Sequence, residues 1–308
     1  MNSAKGLVVI SGASRGIGRS IALAFADAAC VIRGKSSDDE SASSILVPSH
    51  LHMVLVARSA TSLKETADLL QQRCTNTDST ITTTCLEMDL ADIGRLPQNV
   101  NKILEPLSAN GNYNSCLLIN NAGSLGPLGK ATSICDEEST SASLKRWRET
   151  IDFNITSSLW ISSQFAKATS HVSLVRIVNI SSLCAIEPFA TMSLYCAGKA
   201  ARDMFHAVLA KEQTSQSHEE EEGTTTSTSN PTTQFKVLNY APGACNTAMT
   251  DVLVDSADLD KELHQYFSTS RDKHELVRPD DTAVKLVKLL MKDEFESGAH
   301  VDYWDVKS

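Results

Sequence analysis

A glycine-rich turn near the beginning of the chain constrains the fold more than any other feature. Its sequence is GASRGIG over residues 12–18, directly after the apolar run 7–11 and before an apolar stretch with helical spacing. Glycine permits a tight exit from a strand and lets a helix or a pyrophosphate approach the backbone closely. The free N–H groups at the start of the following helix favour phosphate. The spacing predicts a strand–turn–helix unit that binds a dinucleotide; the alternative is the same turn without a ligand.

Short apolar runs alternate with longer helical patterns along the whole chain. The predicted strands are 7–11, 52–57, 80–87, 115–119, 174–180, 235–241 and 299–303. The predicted helices are 17–29, 61–73, 91–107, 144–169, 193–213 and 280–292. Most of the strands are continuous Val/Ile/Leu runs, which is typical of parallel strands buried on both faces. The alternation predicts one α/β domain over 1–308, a Rossmann-type doubly wound parallel sheet of about seven strands with helices on both faces.

Three polar segments interrupt this alternation, near 33–49, 130–143 and 214–234. They are rich in Ser, Thr, Asp and Glu and cannot bury enough apolar surface to order themselves. We therefore expect surface insertions. The run of four glutamates at 219–222 is expected to be a solvated loop rather than an acidic patch that binds a partner.

Charge and cysteine usage exclude several classes of partner. The net charge of −9 would repel nucleic acid backbones and anionic membrane surfaces, so neither is expected as a partner. The first residues show no charged leader followed by a long apolar stretch, and no run reaches about 20 apolar residues, so we expect neither a signal peptide nor a membrane helix. The eight cysteines contain no Cys-x-x-Cys pair, which favours reduced thiols and a cytoplasmic protein. His50 and His52 have metal-ligand spacing but no third ligand nearby, so no metal site is expected.

A tyrosine and a lysine four residues apart form a candidate catalytic pair. Tyr195 and Lys199 would lie on one face of a helix, where the ammonium favours the phenolate and lowers the tyrosine pKa. Such a phenol can donate a proton to a carbonyl. Ser182 follows the strand 174–180 and could hydrogen-bond the same carbonyl. The motif Asn-Asn-Ala-Gly at 120–123 and Asn154 complete the set, which makes coincidence implausible.

The residue at the end of the second strand indicates which dinucleotide is bound. A carboxylate there would bind the ribose 2′-OH of NAD, but the chain has Ala57-Arg58. A guanidinium can form a fork onto a 2′-phosphate, and Arg15 could flank the same group. We therefore expect NADP(H), with two ordinary surface arginines as the alternative. Asp89 and Leu90, after the third strand, are placed to hold the adenine.

These motifs together resemble the short-chain dehydrogenase/reductase family, in the right order and over nearly the whole chain. Further stretches, above all DEFESGAHVD at 293–302, resemble a branch of that family that reduces pterins. The resemblance implies NADPH-dependent reduction of the side-chain carbonyl of a 6-acylpterin (sepiapterin or 6-pyruvoyl-tetrahydropterin) in tetrahydrobiopterin synthesis. It also implies a homodimer built from helices 144–169 and 193–213.

The resemblance implies a role for each site residue. Tyr195 gives the proton, Ser182 orients the carbonyl, Lys199 tunes Tyr195 and holds the nicotinamide ribose, and Asn154 supports a water-linked proton relay. Asp302 matches the aspartate that anchors the pterin. The expected cofactor contacts are Gly12, Ser14, Arg15, Gly16, Ile17, Gly18, Ala57, Arg58, Asp89, Leu90, Asn120, Lys199, Cys245, Asn246, Thr247 and Met249. The expected substrate contacts are Ser182, Leu183, Tyr195, Gly243 and Asp302.

Two other functions stay open at this stage. A general carbonyl or diketone reductase could use the same scaffold, and the role of Asp302 discriminates it from a pterin reductase. A non-catalytic NADP(H)-sensing protein could also keep the fold. Loss of the tyrosine or the lysine would favour that class, and both residues are present.

Overall fold

The computed structural model describes residues 4–32, 46, 48, 50–73, 80–108, 112–134, 140–222 and 233–307. Most of the predicted insertion 33–49 lies outside the described residues, as do 135–139 and 223–232 of the other two. Within the described part of the chain, no helix is both long enough and apolar enough to span a membrane.

Seven parallel strands form one sheet, which confirms the predicted fold class. In chain order they are β1 (Lys5–Ser11), β2 (His50–Ala57), β3 (Thr80–Glu87), β4 (Ser115–Asn120), β5 (Leu174–Ile180), β6 (Gln234–Ala241) and β7 (His300–Asp302). Their order across the sheet is β3-β2-β1-β4-β5-β6-β7. The order reverses between β1 and β4, and a crevice for ligands opens beyond the carboxyl ends of strands at such a point.

Helices cover both faces of the sheet. They are α1 (Gly16–Ile32), α2 (Ala60–Arg73), α3 (Leu96–Ser108), α4 (Thr140–Ile151), α5 (Ser157–Ala168), α6 (Ser193–Glu222), α7 (Ala248–Asp255), α8 (Lys261–Asp272) and α9 (Pro279–Lys292). The core has two halves because successive strand side chains point to opposite faces. Ile10 packs with Phe25 of α1 on one face, whereas Val9 packs with Phe165 of α5 on the other.

Three helical predictions need correction. The predicted helix 144–169 is two α-helices joined by a π-helical turn at Asp152–Thr156. The helix predicted over 193–213 continues to Glu222, so the glutamate run is helical rather than a loop. Glutamate and glutamine have high helix propensity, which outweighs the polar composition there. Helices α7 and α8 were not predicted, because α7 has only eight residues and α8 is mostly polar.

Candidate active site

Two adjoining cavities lie at the carboxyl edge of the sheet. A groove of about 390 Å³ follows the glycine turn and the ends of β1 and β2. A larger cavity of about 850 Å³ lies beside it, between the ends of β5, β6 and β7 and helices α7 and α8. The two share Ile17, Thr247 and Met249, so a molecule in one can touch a molecule in the other.

The glycine turn has the close packing that its sequence predicts. Gly12 has a φ of +70°, and a Cβ there would lie 2.8 Å from Asn121 Nδ2. A Cβ at Gly18 would collide with the carbonyl oxygen of Gly12. Gly18 therefore brings α1 against the turn, and the free N–H groups at the start of α1 face the groove.

Hydrogen bonds join the glycine turn to the end of β4. Asn121 Nδ2 donates to the carbonyl oxygens of Ser11 (3.0 Å) and Gly12 (3.2 Å). Ser11 Oγ accepts from the backbone N–H groups of Asn121 and Ala122, each at 3.0 Å. Hydrogen bonds thus connect the ends of the adjacent strands β1 and β4 at the floor of the groove.

Asn120, a predicted cofactor contact, faces the other way. Its side chain is only 1% exposed and donates to Ser158 O (2.8 Å) and Ser162 Oγ (2.9 Å) on α5. Its neighbour Asn121 lines the groove instead. The sequence shows two adjacent asparagines and cannot show which one the strand turns towards the ligand.

Two arginines give the far end of the groove a positive charge. Arg15 and Arg58 are exposed, line the groove and form no ion pair with any described carboxylate. The described lining contains no acidic residue. This environment suits a phosphate better than a ribose hydroxyl that needs a carboxylate partner.

The predicted cofactor contacts other than Asn120 divide into three groups. Those that line the groove are Gly12, Ser14, Arg15, Gly16, Ile17, Ala57, Arg58, Leu90, Thr247 and Met249. Cys245 lines the larger cavity, whereas Gly18, Asp89, Lys199 and Asn246 are absent from both described linings. The Asp89 carboxylate instead accepts from the N–H of Ala91 at 3.0 Å.

The candidate catalytic residues come together beside the shared wall. Tyr195 is 9% exposed, and its hydroxyl donates to Met249 Sδ at 3.9 Å. The Lys199 ammonium lies 5.5 Å from the centre of the Tyr195 ring and donates to Ile180 O at 2.7 Å. Ser182, two residues after the end of β5, lies close enough to Tyr195 to affect its pKa. The Oγ of Ser182 accepts from the N–H of Cys184 at 3.2 Å. Tyr195 and Ser182 both line the larger cavity.

Burial has the largest effect on the pKa values of both Tyr195 and Lys199. Burial raises the pKa of Tyr195, and the nearby Ser182 hydroxyl and the charge of Arg202 only partly oppose this effect. The expectation of a lowered tyrosine pKa is therefore wrong for this structure. Burial, followed by the charge of Arg202, lowers the pKa of Lys199 to about 7. Tyr195 is consequently protonated at neutral pH, as a proton donor must be.

Asn154 lies in the π-helical turn between α4 and α5. Its Oδ1 accepts from the N–H of Ser124 at 2.8 Å, and its Nδ2 donates to Ser124 O at 2.9 Å. This pair of bonds fixes the segment after β4 to the helix. Asn154 is 5% exposed, and its proposed part in a proton relay stays a prediction.

All five predicted substrate contacts line the larger cavity, whose other walls are mostly apolar. The apolar side chains come from several separate elements; they include Leu125, Phe189, Met192, Leu253, Leu263 and Phe267. Tyr266 and Trp304, which are 53% and 71% exposed, also belong to the lining. Trp304 was a candidate for the mouth of this cavity from the sequence, with packing as an equal alternative. The lining residues on α7 and α8 were missed, because no local pattern shows that these helices close over the strand ends.

Asp302 is the end of β7 and supplies a carboxylate to this apolar cavity. Its Oδ1 accepts from the N–H of Trp304 at 3.0 Å. Its Oδ2 has no hydrogen bond or ion pair with the residues that the structure describes. A carboxylate with a free oxygen in a cavity can accept hydrogen bonds from a ligand.

Comparisons with known proteins decide the family. A model of the short-chain dehydrogenase family matches residues 40–217. The chain is also 33% identical to sepiapterin reductase from Rattus norvegicus over 300 residues, which cover 97% of this chain and 96% of that protein. The chain belongs to the short-chain dehydrogenase family. It is therefore an oxidoreductase, and the family uses a nicotinamide cofactor.

Two other reductases also match this chain, with lower sequence identity. Benzil reductase from Bacillus subtilis, which forms (S)-benzoin, is 28% identical over 207 residues and covers 67% of this chain and 75% of that protein. The crystal structure of L-sorbose reductase from Gluconobacter frateurii, complexed with NADPH and L-sorbose, has a TM-score of 0.65. It is 20% identical and covers 97% of this chain and 95% of that one, so it supports the fold alone.

The part of the chain that the structure describes contains no candidate metal site. No group of three or more His, Cys, Asp or Glu residues there is arranged to hold an ion. His52 hydrogen-bonds instead with Tyr113 Oη and Thr84 Oγ1, each at 2.8 Å.

Proposed function

We propose that the chain reduces the side-chain carbonyl of a 6-acylpterin, such as sepiapterin or 6-pyruvoyl-tetrahydropterin, with NADPH in tetrahydrobiopterin synthesis. The observation that carries the proposal is the carboxylate of Asp302 in the same cavity as Ser182 and Tyr195. The aminopyrimidinone edge of a pterin presents N–H donors in a row, and a carboxylate can accept two of them side by side. The similarity to rat sepiapterin reductase supports the same substrate class.

NADPH fits the groove better than NADH does. The glycine turn and the start of α1 suit a pyrophosphate, and Arg15 and Arg58 suit a 2′-phosphate. When bound, the reduced nicotinamide supplies a hydride to the carbonyl carbon. Lys199 would hold the nicotinamide ribose, as the family resemblance implies.

Two side chains of this protein orient the carbonyl and supply the proton. Ser182 Oγ donates a hydrogen bond to the carbonyl oxygen and orients it. The Tyr195 hydroxyl donates its proton to that oxygen as negative charge develops there. Because burial disfavours the phenolate, Tyr195 keeps the proton until an acceptor is in place.

A second candidate is a reductase of small diketones. The apolar walls of the larger cavity favour it, because such ligands offer few hydrogen-bonding groups. The similarity to Bacillus subtilis benzil reductase points in the same direction. This function would use the same Ser182 and Tyr195, but the substrate would form no hydrogen bond with Asp302.

A side-by-side assay tests the proposal. The full chain is assayed for oxidation of NADPH and NADH with sepiapterin and, separately, with benzil. We expect kcat/KM for sepiapterin to exceed that for benzil by at least about tenfold, since only the pterin reaches Asp302 with paired N–H donors. A preference for benzil would favour the second candidate. No oxidation with either substrate would favour the non-catalytic class.

We also propose a homodimer through α4, α5 and α6. Leu144, Trp160, Met204 and Val208 on these helices are large apolar side chains that are 45–67% exposed. Apolar side chains concentrated on neighbouring helices are typical of an interface. Sedimentation equilibrium tests this, with a monomer at micromolar concentration as the contrary result.

A further inference from the structure

The Asp203 carboxylate links the catalytic helix to two strands of the sheet. It lies on α6, four residues after Lys199 and eight after Tyr195. Its Oδ1 accepts from Ser181 Oγ at 2.6 Å and from Asn179 Nδ2 at 2.8 Å, both at the end of β5. Its Oδ2 accepts from His300 Nδ1 at 2.6 Å, on β7.

The two oxygens of this carboxylate bind groups next to two different parts of the lining of the larger cavity. Ser181 directly precedes Ser182, which faces the reacting carbonyl in the proposed function. His300 is two residues before Asp302, so both side chains point to the same face of the sheet, and both line the cavity. The spacing between the proton donor and the pterin anchor therefore depends on a short chain of hydrogen bonds through Asp203.

Strand β7 needs such support. It has three residues, it is an edge strand, and each of its residues is partly exposed. Backbone bonds from Asn239 N to Ala299 O (3.0 Å) and from Tyr303 N to Ala241 O (2.8 Å) attach it to β6. These bonds fix β7 to the sheet, whereas the His300 side chain fixes it directly to α6.

We propose that His300 is a positioning residue, whose hydrogen bond to Asp203 holds β7 so that Asp302 lies at the correct distance from Tyr195. The inference rests on the proposed function, in which Asp302 anchors the pterin. A misplacement of about 1 Å can cost a reaction about 100-fold, so a short strand that carries an anchor must be held firmly. The competing role for His300 is a direct hydrogen bond from Nε2 to the substrate.

The second ring nitrogen argues against that competing role. His300 Nε2 is buried from solvent and has no hydrogen-bond partner among the described residues. Nδ1, in contrast, makes a short bond to a carboxylate that is itself mostly buried. The geometry thus assigns the function of the ring to Nδ1.

Two amide variants separate the two ring nitrogens. In His300→Asn the amide nitrogen stands at the position of Nδ1 and can donate to Asp203. In His300→Gln it stands nearer the position of Nε2. We expect His300→Gln to lower kcat/KM for sepiapterin by about 10- to 100-fold, and His300→Asn to restore kcat/KM to within about threefold of the wild type.

Benzil and Asp302 provide the controls. Both variants should keep kcat/KM for benzil within about threefold, because benzil makes no use of Asp302. In an Asp302→Asn background, His300→Gln should add less than about threefold on sepiapterin, since residues that act through one another are not additive. The reverse ranking of the two amides, or an additive double variant, would overturn the proposal.

Hydrogen exchange tests the positioning without any substrate. Amides in peptides covering 298–305 should exchange at least about tenfold faster in His300→Gln than in the wild type or in His300→Asn, with β1 unchanged. Equal exchange in all three proteins would overturn the proposal. If the wild type fails to reduce sepiapterin while this difference in exchange is present, the proposed function fails and the positioning role stands.

Discussion

Replacing Asp302 by asparagine should remove pterin reduction selectively. Asparagine has nearly the same size, and its Oδ1 can still accept from the N–H of Trp304, which Asp302 holds at 3.0 Å. The turn after β7 is therefore retained. What the variant loses is the negative charge and the second acceptor, because its Nδ2 is a donor and would face the N–H groups of the pterin.

The magnitude follows from the type of bond that is lost. A reduced pterin that fills the cavity covers the carboxylate, so the pair of charged hydrogen bonds is shielded from water. Removing one partner of such a pair costs about 2–5 kcal/mol, which is roughly 30- to several-thousand-fold in kcat/KM. Benzil has no N–H edge, and we expect its kcat/KM to change by less than about threefold.

The assay is steady-state oxidation of NADPH at saturating cofactor with each substrate. Asp305→Asn is the matched control, because Asp305 also lines the larger cavity and accepts from the N–H of Asp302 at 3.0 Å. It should lose less than about threefold on either substrate. An equal loss on sepiapterin and benzil in Asp302→Asn would show that Asp302 is structural. No loss on sepiapterin would refute the anchor and favour the diketone reductase.

Three further predictions concern the acid, the cofactor and stability at low pH. Tyr195→Phe should bind NADPH normally by fluorescence titration but lose about 10²–10⁴-fold in kcat, since general acid catalysis is worth that much; more than about a third of the wild-type kcat would contradict the assignment. Arg58→Ala should raise KM for NADPH by about tenfold or more and leave KM for NADH nearly unchanged, because only NADPH has the 2′-phosphate; equal increases would make Arg58 structural. Burial lowers the pKa of His206 to about 4. Between about pH 6.5 and 4, the unfolded chain therefore binds a proton at this histidine and the folded chain does not. Stability should therefore fall between about pH 6.5 and 4, by roughly 3 kcal/mol more than in His206→Asn, as measured by urea unfolding.

Local features of the sequence were sufficient to predict the fold, and they also gave the candidate catalytic residues, whose roles stay predictions. Each predicted strand exists, and most of them, such as β1 and β5, are continuous apolar runs of the kind that a buried parallel strand needs. The glycine turn was predictable, because a Cβ at Gly12 or Gly18 would collide with atoms only a few residues away or on the adjacent strand. Tyr195 and Lys199 share a helix face through their spacing alone.

The tertiary structure decided what depends on contacts between distant residues. The sequence could not choose between Asn120 and Asn121, because the strand register determines which side chain meets the groove. It suggested a lowered pKa for Tyr195, whereas burial by surrounding elements raises that pKa. The bond between Asp203 and His300 joins residues 97 positions apart, and no local pattern encodes it. Burial and long-range hydrogen bonds arise only when the helices and strands pack together. The sequence therefore supplies the strands, the helices and the candidate side chains, and the packing determines the pKa values and contacts of those side chains.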